Sequence, residues 1–310
     1  MIGIYGSNGF IGRHLVRRLA GLGVAAKAVS RRHDESFVSE FDDRIEFVQA
    51  DLTDPLAVGA SLQDVETVVQ LISTSSPGLR NDHAVVDIQE NVIPHVSFLQ
   101  DCVRAGVKRY VFLSSGGTVY GPGTGSPMPE TGATDPICSH GLTKIMVEKY
   151  IQMHGHLDGL EYVILRLANP FGPGQEFRKG QGLIPAILDR YRTGQPIRIF
   201  GKGEARRDFV YIGDVIDAIV ATLDLQADSR LVLNIGSGET RSVLEVVEAI
   251  EAATGHRFER KYIEARNTDV DVSSLDISRA REVLGWSPRT SFESGIRQTV
   301  EAALASTGER

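Results

Sequence analysis

Cysteine, tryptophan and long apolar runs are all scarce in this chain. Its 310 residues include two cysteines and one tryptophan. Cys102 and Cys138 supply neither a disulfide framework nor a paired-cysteine metal motif, which fits a reducing cytoplasm. No apolar stretch approaches the roughly 20 residues of a membrane helix, so no span is expected. The opening Met1-Ile2-Gly3-Ile4-Tyr5 lacks a basic leader and a cleavage pattern, and no targeting segment is expected. A basic surplus is missing too. The 33 Lys and Arg against 40 Asp and Glu leave a formal charge of −7, which argues against nucleic acid as a partner. His154 and His156 are two residues apart, on different faces of a helix, with no acidic partner in view; no metal site is expected.

What remains is an ordinary globular composition with 32 glycines gathered in a few segments. Short apolar runs at 1–5, 25–29, 45–49, 67–71, 109–113 and 161–165 suit buried parallel strands. Helical patterns lie between them, notably at 10–19, 85–103 and 144–154. This alternation predicts an α/β fold, a doubly wound parallel sheet of Rossmann type spanning 1–168. From Asn169 the pattern becomes irregular. Residues 210–237 return to strand and helix and rejoin the main domain, while 169–209 and 238–310, ending in a helix at 292–304, predict a smaller mixed C-terminal lobe for substrate.

The loop Gly6-Ser7-Asn8-Gly9-Phe10-Ile11-Gly12 follows the first strand and opens the first helix. Glycines there permit a tight turn and bring backbone N–H groups and a helix amino end to a pyrophosphate, which points to a dinucleotide. Asp51-Leu52 after the third strand suits the adenine edge, or an ordinary solvated strand end. About 20 residues past the glycines, an acid would bond the ribose hydroxyls of NAD. Ser30-Arg31-Arg32 stands there instead. The arginines fit either a clamp for the 2′-phosphate of NADP or a solvated basic turn, so NAD and NADP both stay open.

Taken with Ser114-Ser115-Gly116-Gly117-Thr118-Val119-Tyr120-Gly121, Lys144, Arg166-Leu167-Ala168-Asn169-Pro170-Phe171-Gly172-Pro173-Gly174, Arg207-Asp208-Phe209 and a tail containing Asp276-Ile277-Ser278-Arg279-Ala280 and Leu284-Gly285-Trp286, the chain resembles the extended short-chain dehydrogenase/reductase family. The likeness is to its UDP-glucose 4-epimerase-like sugar-nucleotide epimerases and dehydratases, and it runs from Met1 to about Trp286. It implies a nicotinamide cofactor, a UDP-sugar or other nucleoside-diphosphate sugar, and hydride transfer at the sugar C4 through a 4-keto intermediate. It further implies that Asn8, Phe10, Ile11, Leu71 and Lys144 join the glycines at the cofactor, and that Asn91 orders active-site backbone and water. Asn169, Arg207 and Arg266 would face the diphosphate, Leu183 within Gln181-Gly182-Leu183-Ile184-Pro185 would wrap the nucleotide sugar, Ile199 would lie beside the base, and Asp269 would accept from the ribose. Helices equivalent to 85–103 and 144–154 commonly pair two subunits, which implies a homodimer; read alone, their apolar stripes also fit a buried core.

The proton-transfer centre departs from the family pattern. There, a tyrosine lies four residues before the lysine; here that residue is His140. A serine or threonine usually stands where this chain has Gly116. Three readings follow. His140 is itself the acid/base, kept neutral by the nearby Lys144 charge. Thr118 or Ser115 shares the work beside a pocket opened by Gly116-Gly117, with room for a water or a shifted sugar. Or the protein binds cofactor and sugar nucleotide with weak or lost catalysis. A dehydratase would want acids after the catalytic hydroxyl, where Gly117-Thr118 has none. A sugar-nucleotide reductase fits if NADP is exchanged.

Overall fold

Residues 2–5 and the runs like them form strands because apolar side chains point to both faces and both faces are covered. The computed structural model describes residues 1–75, 81–122, 127–177, 182–264 and 271–305. The first half alternates strictly. It runs β1 (Ile2–Tyr5), α1 (Phe10–Gly21), β2 (Ala26–Ser30), α2 (Glu35–Val38), β3 (Ile45–Gln49), α3 (Pro55–Ser61) and β4 (Thr67–Gln70). Then come α4 (Ala84–Asp87), a π turn (Ile88–Val92), α5 (Ile93–Arg104), β5 (Arg109–Ser115), α6 (Ser139–Leu157) and β6 (Glu161–Leu167). The second half holds β7 (Asn169–Phe171), α7 (Leu183–Thr193), β8 (Ile197–Phe200), β9 (Arg206–Tyr211), α8 (Ile212–Leu223) and β10 (Arg230–Ile235). It closes with β11 (Thr240–Ser242), α9 (Val243–Thr254), β12 (Arg260–Ile263), β13 (Val272–Ser273), α10 (Ser278–Leu284) and α11 (Phe292–Ala305).

β1 to β6 and β10 build a seven-stranded parallel sheet in the order β10-β6-β5-β4-β1-β2-β3. Neighbouring residues within a strand serve opposite faces. Ile4, Val69 and Val111 pack under α1 and α8, while Tyr5, Val68 and Tyr110 pack under α3, α5 and α6. Each fully buried side chain of that size stabilises the fold by about 1.5–3 kcal/mol. The strand order reverses between β1 and β4, so a crevice opens at their carboxyl ends, where ligands bind in doubly wound sheets. The second lobe is built on β7, β9, β11 and β13, on the pair β8–β12, and on a separate core that includes Phe171, Ile199, Phe209 and Val247. No described helix is long and apolar enough to cross a membrane.

Two details differ from the sequence expectation. The helix expected over 85–103 keeps helical backbone throughout but contains the π turn. Pro94 has no N–H for the carbonyl four residues back, and that loss loosens the turn before it. The tail expected to belong wholly to the second lobe returns to the first. Leu275, Ile277, Ala280 and Trp286 enter the core of the main sheet, and Trp286 Nε1 donates to the Asp214 carbonyl at 2.9 Å.

Arg109 fastens the edge of this arrangement. It is 8% exposed, pairs with Glu161 at 2.8 Å and donates to the carbonyls of Thr222, Leu223, Leu225 and Gln226. Replacing Arg109 with Met leaves those carbonyls and Glu161 without their shared partner. Urea unfolding is expected to show a loss of about 3–5 kcal/mol; a loss below about 1 kcal/mol would contradict this role.

Candidate active site

The glycine loop is shaped so that only glycine fits. Gly6 has φ +92°, and the N–H of Gly9 closes the turn onto the Gly6 carbonyl at 3.0 Å. A Cβ on Gly12 would stand 2.3 Å from that carbonyl oxygen and 2.7 Å from Ser7 Cα, so α1 seats directly on the loop. Gly9 caps α1 without a side-chain bond, and Ser7 Oγ is buried without a hydrogen-bond partner among the described residues. A helix amino end, whose first amides lack intrahelical partners, and an orphaned hydroxyl make a cradle that fits the pyrophosphate of a dinucleotide. Asn8 is held by Arg13, which donates to its Oδ1 at 2.6 Å and also pairs with Asp34. Phe10 and Ile11 pack against the core, so what they present to the crevice is backbone.

The neighbouring strand ends complete the rim. Ser30 is half-buried and Arg31 and Arg32 are exposed. Asp51 Oδ1 accepts from the Thr53 amide and hydroxyl at 2.9 and 2.7 Å, bonds that hold its carboxyl below the usual range, with Arg31 adding to the effect. Leu52 packs on the core. Leu71 donates its N–H to the Tyr5 carbonyl at 2.9 Å and lies against Gly6.

On α6, His140, Lys144 and Glu148 follow one another at single-turn spacing, and all are held inside. Lys144 Nζ donates to the Leu113 carbonyl at 2.8 Å and lies 4.8 Å from the centre of the Phe112 ring. Burial pushes its pKa down to about 8, against the opposing pull of Glu148. His140 is 8% exposed, and burial first, then the Lys144 charge, push it down to about 3. Its Nδ1 has no partner among the described residues. The imidazole is therefore neutral at pH 7. Gly141 brings this turn onto the 115–118 segment, because a Cβ there would stand 2.6 Å from the Thr118 carbonyl oxygen. Thr118 Oγ1 donates to Ser115 Oγ at 2.8 Å. The turn that carries His140 thus lies against the backbone of the 115–118 segment.

The pocket expected at Gly116 is not open. A Cβ at Gly116 would lie 2.5 Å from Leu275 Cδ1 and 3.0 Å from the Arg166 carbonyl oxygen. Leu275, 2% exposed, fills the space a side chain would take, and the slack is at Gly117, whose Cβ would meet nothing nearer than Ser273 Oγ at 4.0 Å. Packing from the tail fills the place of a side chain at 116.

Asn91 lies in the π turn. Its Oδ1 accepts from the amides of Thr74 and Ser75 at 2.9 and 3.2 Å, so it orders the backbone after β4. A recess with room for about one water lies between Asn91, Ser73, His95, Thr143 and Lys144. Beneath it, Glu148 is met by Ser114 and by Arg166 at 2.8 Å, and Arg166 reaches the Tyr120 hydroxyl at 3.0 Å.

In the second lobe, Asn169 Nδ2 donates to the Asp208 carbonyl at 2.8 Å, Leu183 begins α7 half-buried, and Arg207 is half-buried with one N–H on the Arg206 carbonyl. Ile199, expected beside a base, is buried completely in the lobe's core by strand alternation, which turns Arg198 and Phe200 outward. Arg266 and Asp269, like Gln181, lie outside the described residues. Sequence reasoning missed Glu148, Asp87, Ser139, Phe200 and Leu275. Glu148 and Asp87 were signalled by one-turn spacing from Lys144 and Asn91, and Phe200 by the period of two. Nothing local marked Leu275.

Comparison with known proteins agrees with this geometry. The model of the NAD dependent epimerase/dehydratase family matches residues 2–236. A putative UDP-glucose 4-epimerase of Methanocaldococcus jannaschii is 32% identical over 309 residues, 97% of each chain. A dTDP-4-dehydro-6-deoxyglucose reductase of Escherichia coli is 32% identical over 242 residues, 78% of this chain and 76% of its own. The crystal structure of a UDP-glucose 4-epimerase from Thermotoga maritima with UDP-glucose superimposes with a TM-score of 0.91 at 30% identity, covering 99% of each chain.

Two measurements check the site. Gly116→Ser is expected to cost about 1–3 kcal/mol by overpacking and Leu275→Ala about 2–5 kcal/mol by cavity formation. The double variant should be more stable than their sum by at least about 1 kcal/mol, and strict additivity would remove the contact. Second, His140 has a folded pKa near 3 against an ordinary 6.5, so the unfolded chain binds the extra proton in that window. Its contribution to stability is intact above pH 6.5 and is lost as the pH falls towards 3. Unfolding free energy of His140→Phe should therefore decline less steeply with acid than that of the parent.

Proposed function

The chain belongs to the NAD dependent epimerase/dehydratase family, and we propose that it is a nucleoside-diphosphate-sugar 4-epimerase acting on UDP-glucose and UDP-galactose or a close UDP-sugar. The observation that carries this reading is the buried, neutral His140, one helical turn before Lys144, on a turn that Gly141 seats against the Thr118 backbone. The names and identities of the relatives support the substrate class.

The glycine loop, Asp51 and Leu71 would hold the dinucleotide and Lys144 its nicotinamide ribose. When bound, the nicotinamide supplies a reversible hydride acceptor for the sugar C4. Arg31 and Arg32 at the end of β2 extend the cofactor reading from NAD to NADP. Asn169, Leu183 and Arg207, with Arg266 and Asp269 beyond the described residues, would hold the sugar nucleotide.

His140 handles one proton. As C4 loses hydride, its hydroxyl becomes that of a protonated carbonyl, which is a strong acid, so even a weakly basic imidazole takes its proton. Lys144 disfavours the imidazolium, so the proton is held briefly and returned as the 4-keto sugar regains hydride on its other face. Ser115 and Thr118, already bonded to each other, would orient the sugar oxygen.

The proposal includes a homodimer in the reducing cytoplasm, where Cys102 and Cys138 stay thiols. Leu142, Met146, Tyr150, Met153 and Leu157 form an exposed stripe on the face of α6 opposite the site, beside exposed Val85 and Ile93. Such a patch is a surface for a second copy. Met146→Glu with Tyr150→Glu is expected to give a folded monomer by sedimentation; an unchanged mass would contradict this interface.

A reductase is the second reading, favoured by the Arg31-Arg32 pair and the Escherichia coli relative. Incubating purified protein with a panel of UDP-sugars, with and without NAD or NADP, separates the two. The expected result is interconversion of C4 epimers with no net change in cofactor redox state. Stoichiometric consumption of reduced cofactor, or failure to bind any nucleotide sugar, would overturn the epimerase reading.

A further inference from the structure

Three segments that border the site converge on one buried carboxylate. Asp87 is fully buried at the end of α4. Its Oδ2 accepts from Ser139 Oγ at 2.6 Å and from Ser75 Oγ at 3.0 Å, and its Oδ1 accepts from Asn91 Nδ2 at 2.9 Å. These donors belong to the first turn of α6, the segment after β4 and the π turn. Asn91 in turn holds the amides of Thr74 and Ser75, so the segment after β4 is gripped twice.

The first turn of α6 needs such a grip. Cys138, its N-cap residue, makes no side-chain capping bond. On one side the turn is pressed against the Thr118 backbone through Gly141. On the other side it is held by Ser139 on Asp87. His140 lies between these two residues, so its ring is placed by both. A displacement of about 1 Å in a reacting group costs on the order of 10²-fold in rate, and this turn is where such a displacement would arise.

We infer that Asp87 is a positioning residue: through Ser139 it fixes the first turn of α6, and with it His140, against the segment that follows β4. This rests on the reading of His140 as the proton-transfer group. The hydrogen-bond inventory makes the role specific to a carboxylate. An asparagine side chain in place of Asp87 that accepts from both serines turns its amide donor towards the Asn91 donor. Turned the other way, it leaves two buried hydroxyl protons without acceptors. Asn91 Nδ2 also donates to Thr74 Oγ1 at 3.0 Å and, more weakly, to the Asp87 carbonyl at 3.3 Å; exchanging the two side chains restores the bond between them, and the Thr74 hydroxyl can turn to donate to the new carboxylate. The amide, now on α4, donates to the carboxylate, now in the π turn, and that carboxylate still accepts from the Thr74 and Ser75 amides.

The test compares the full-length parent with Ser139→Ala, Asp87→Asn and the double exchange Asp87→Asn with Asn91→Asp. The ring nitrogen resonances of His140, identified by their loss in His140→Phe, report its placement without turnover. UDP-sugar kinetics report kcat and KM separately. Ser139→Ala and Asp87→Asn are expected to shift the His140 resonances and lower kcat by about 10- to 100-fold with KM changed less than about threefold. The exchange should return both readouts to within about threefold of the parent. Unchanged resonances in folded Ser139→Ala, or an exchange that recovers neither readout, would overturn the inference. If Asp87→Asn does not fold, Ser139→Ala and the exchange decide it. Should the parent epimerise nothing while the resonances shift and return as expected, the positioning role stands and the epimerase reading alone falls.

Discussion

Burying the Glu148 carboxylate beneath Lys144 is tolerated because Arg166 and Ser114 meet its oxygens, and much of the site hangs on that arrangement. Removing one partner of a buried pair leaves a charge stranded, which costs far more than the pair contributes when intact. Glu148 draws α6 onto β5 and β6, and it opposes the burial that depresses Lys144. Arg166 continues outward to Tyr120, whose hydroxyl bonds Asn234 at 2.7 Å, and Asn234 donates to the carbonyls of Met128 and Asp276. The same chain of bonds that anchors Glu148 therefore also holds the tail segment carrying Leu275.

This linkage explains how the end of β5 and the tail fit together. With glycine at 116, the end of β5 has no side chain to present, and Leu275 occupies the space. Apolar contact there keeps the interior dense, and the first turn of α6, which carries His140, meets the Thr118 backbone through Gly141.

Much of the fold was legible because parallel strands buried on both faces read as apolar runs, and the glycine loop has few alternative uses at the start of such an alternation. The expected runs at 1–5, 45–49 and 109–113 correspond to β1, β3 and β5 within a few residues. The site was legible where it depended on one-dimensional spacing, as with His140 and Lys144. It was not legible where partners lie far apart in sequence. Ser139 meets Asp87 across 52 residues, and nothing near Gly116 announces that Leu275 arrives from the tail. Ile199 illustrates a different gap. Resemblance selected the strand, and the strand's period of two turns Phe200 rather than Ile199 towards solvent.

Catalysis as proposed stands or falls on His140 as the group that moves the proton. Its most direct test is the C4 epimerisation rate of His140→Phe, which keeps a ring of similar size but removes both nitrogens. Retention of dinucleotide and UDP-sugar is measured on the same sample by mass spectrometry. The expected result is full retention with a rate lower by about 10²- to 10⁴-fold, the usual contribution of a positioned acid/base. Full retention with a rate within about threefold of the parent would contradict that role and move the proton to the Ser115–Thr118 hydroxyls.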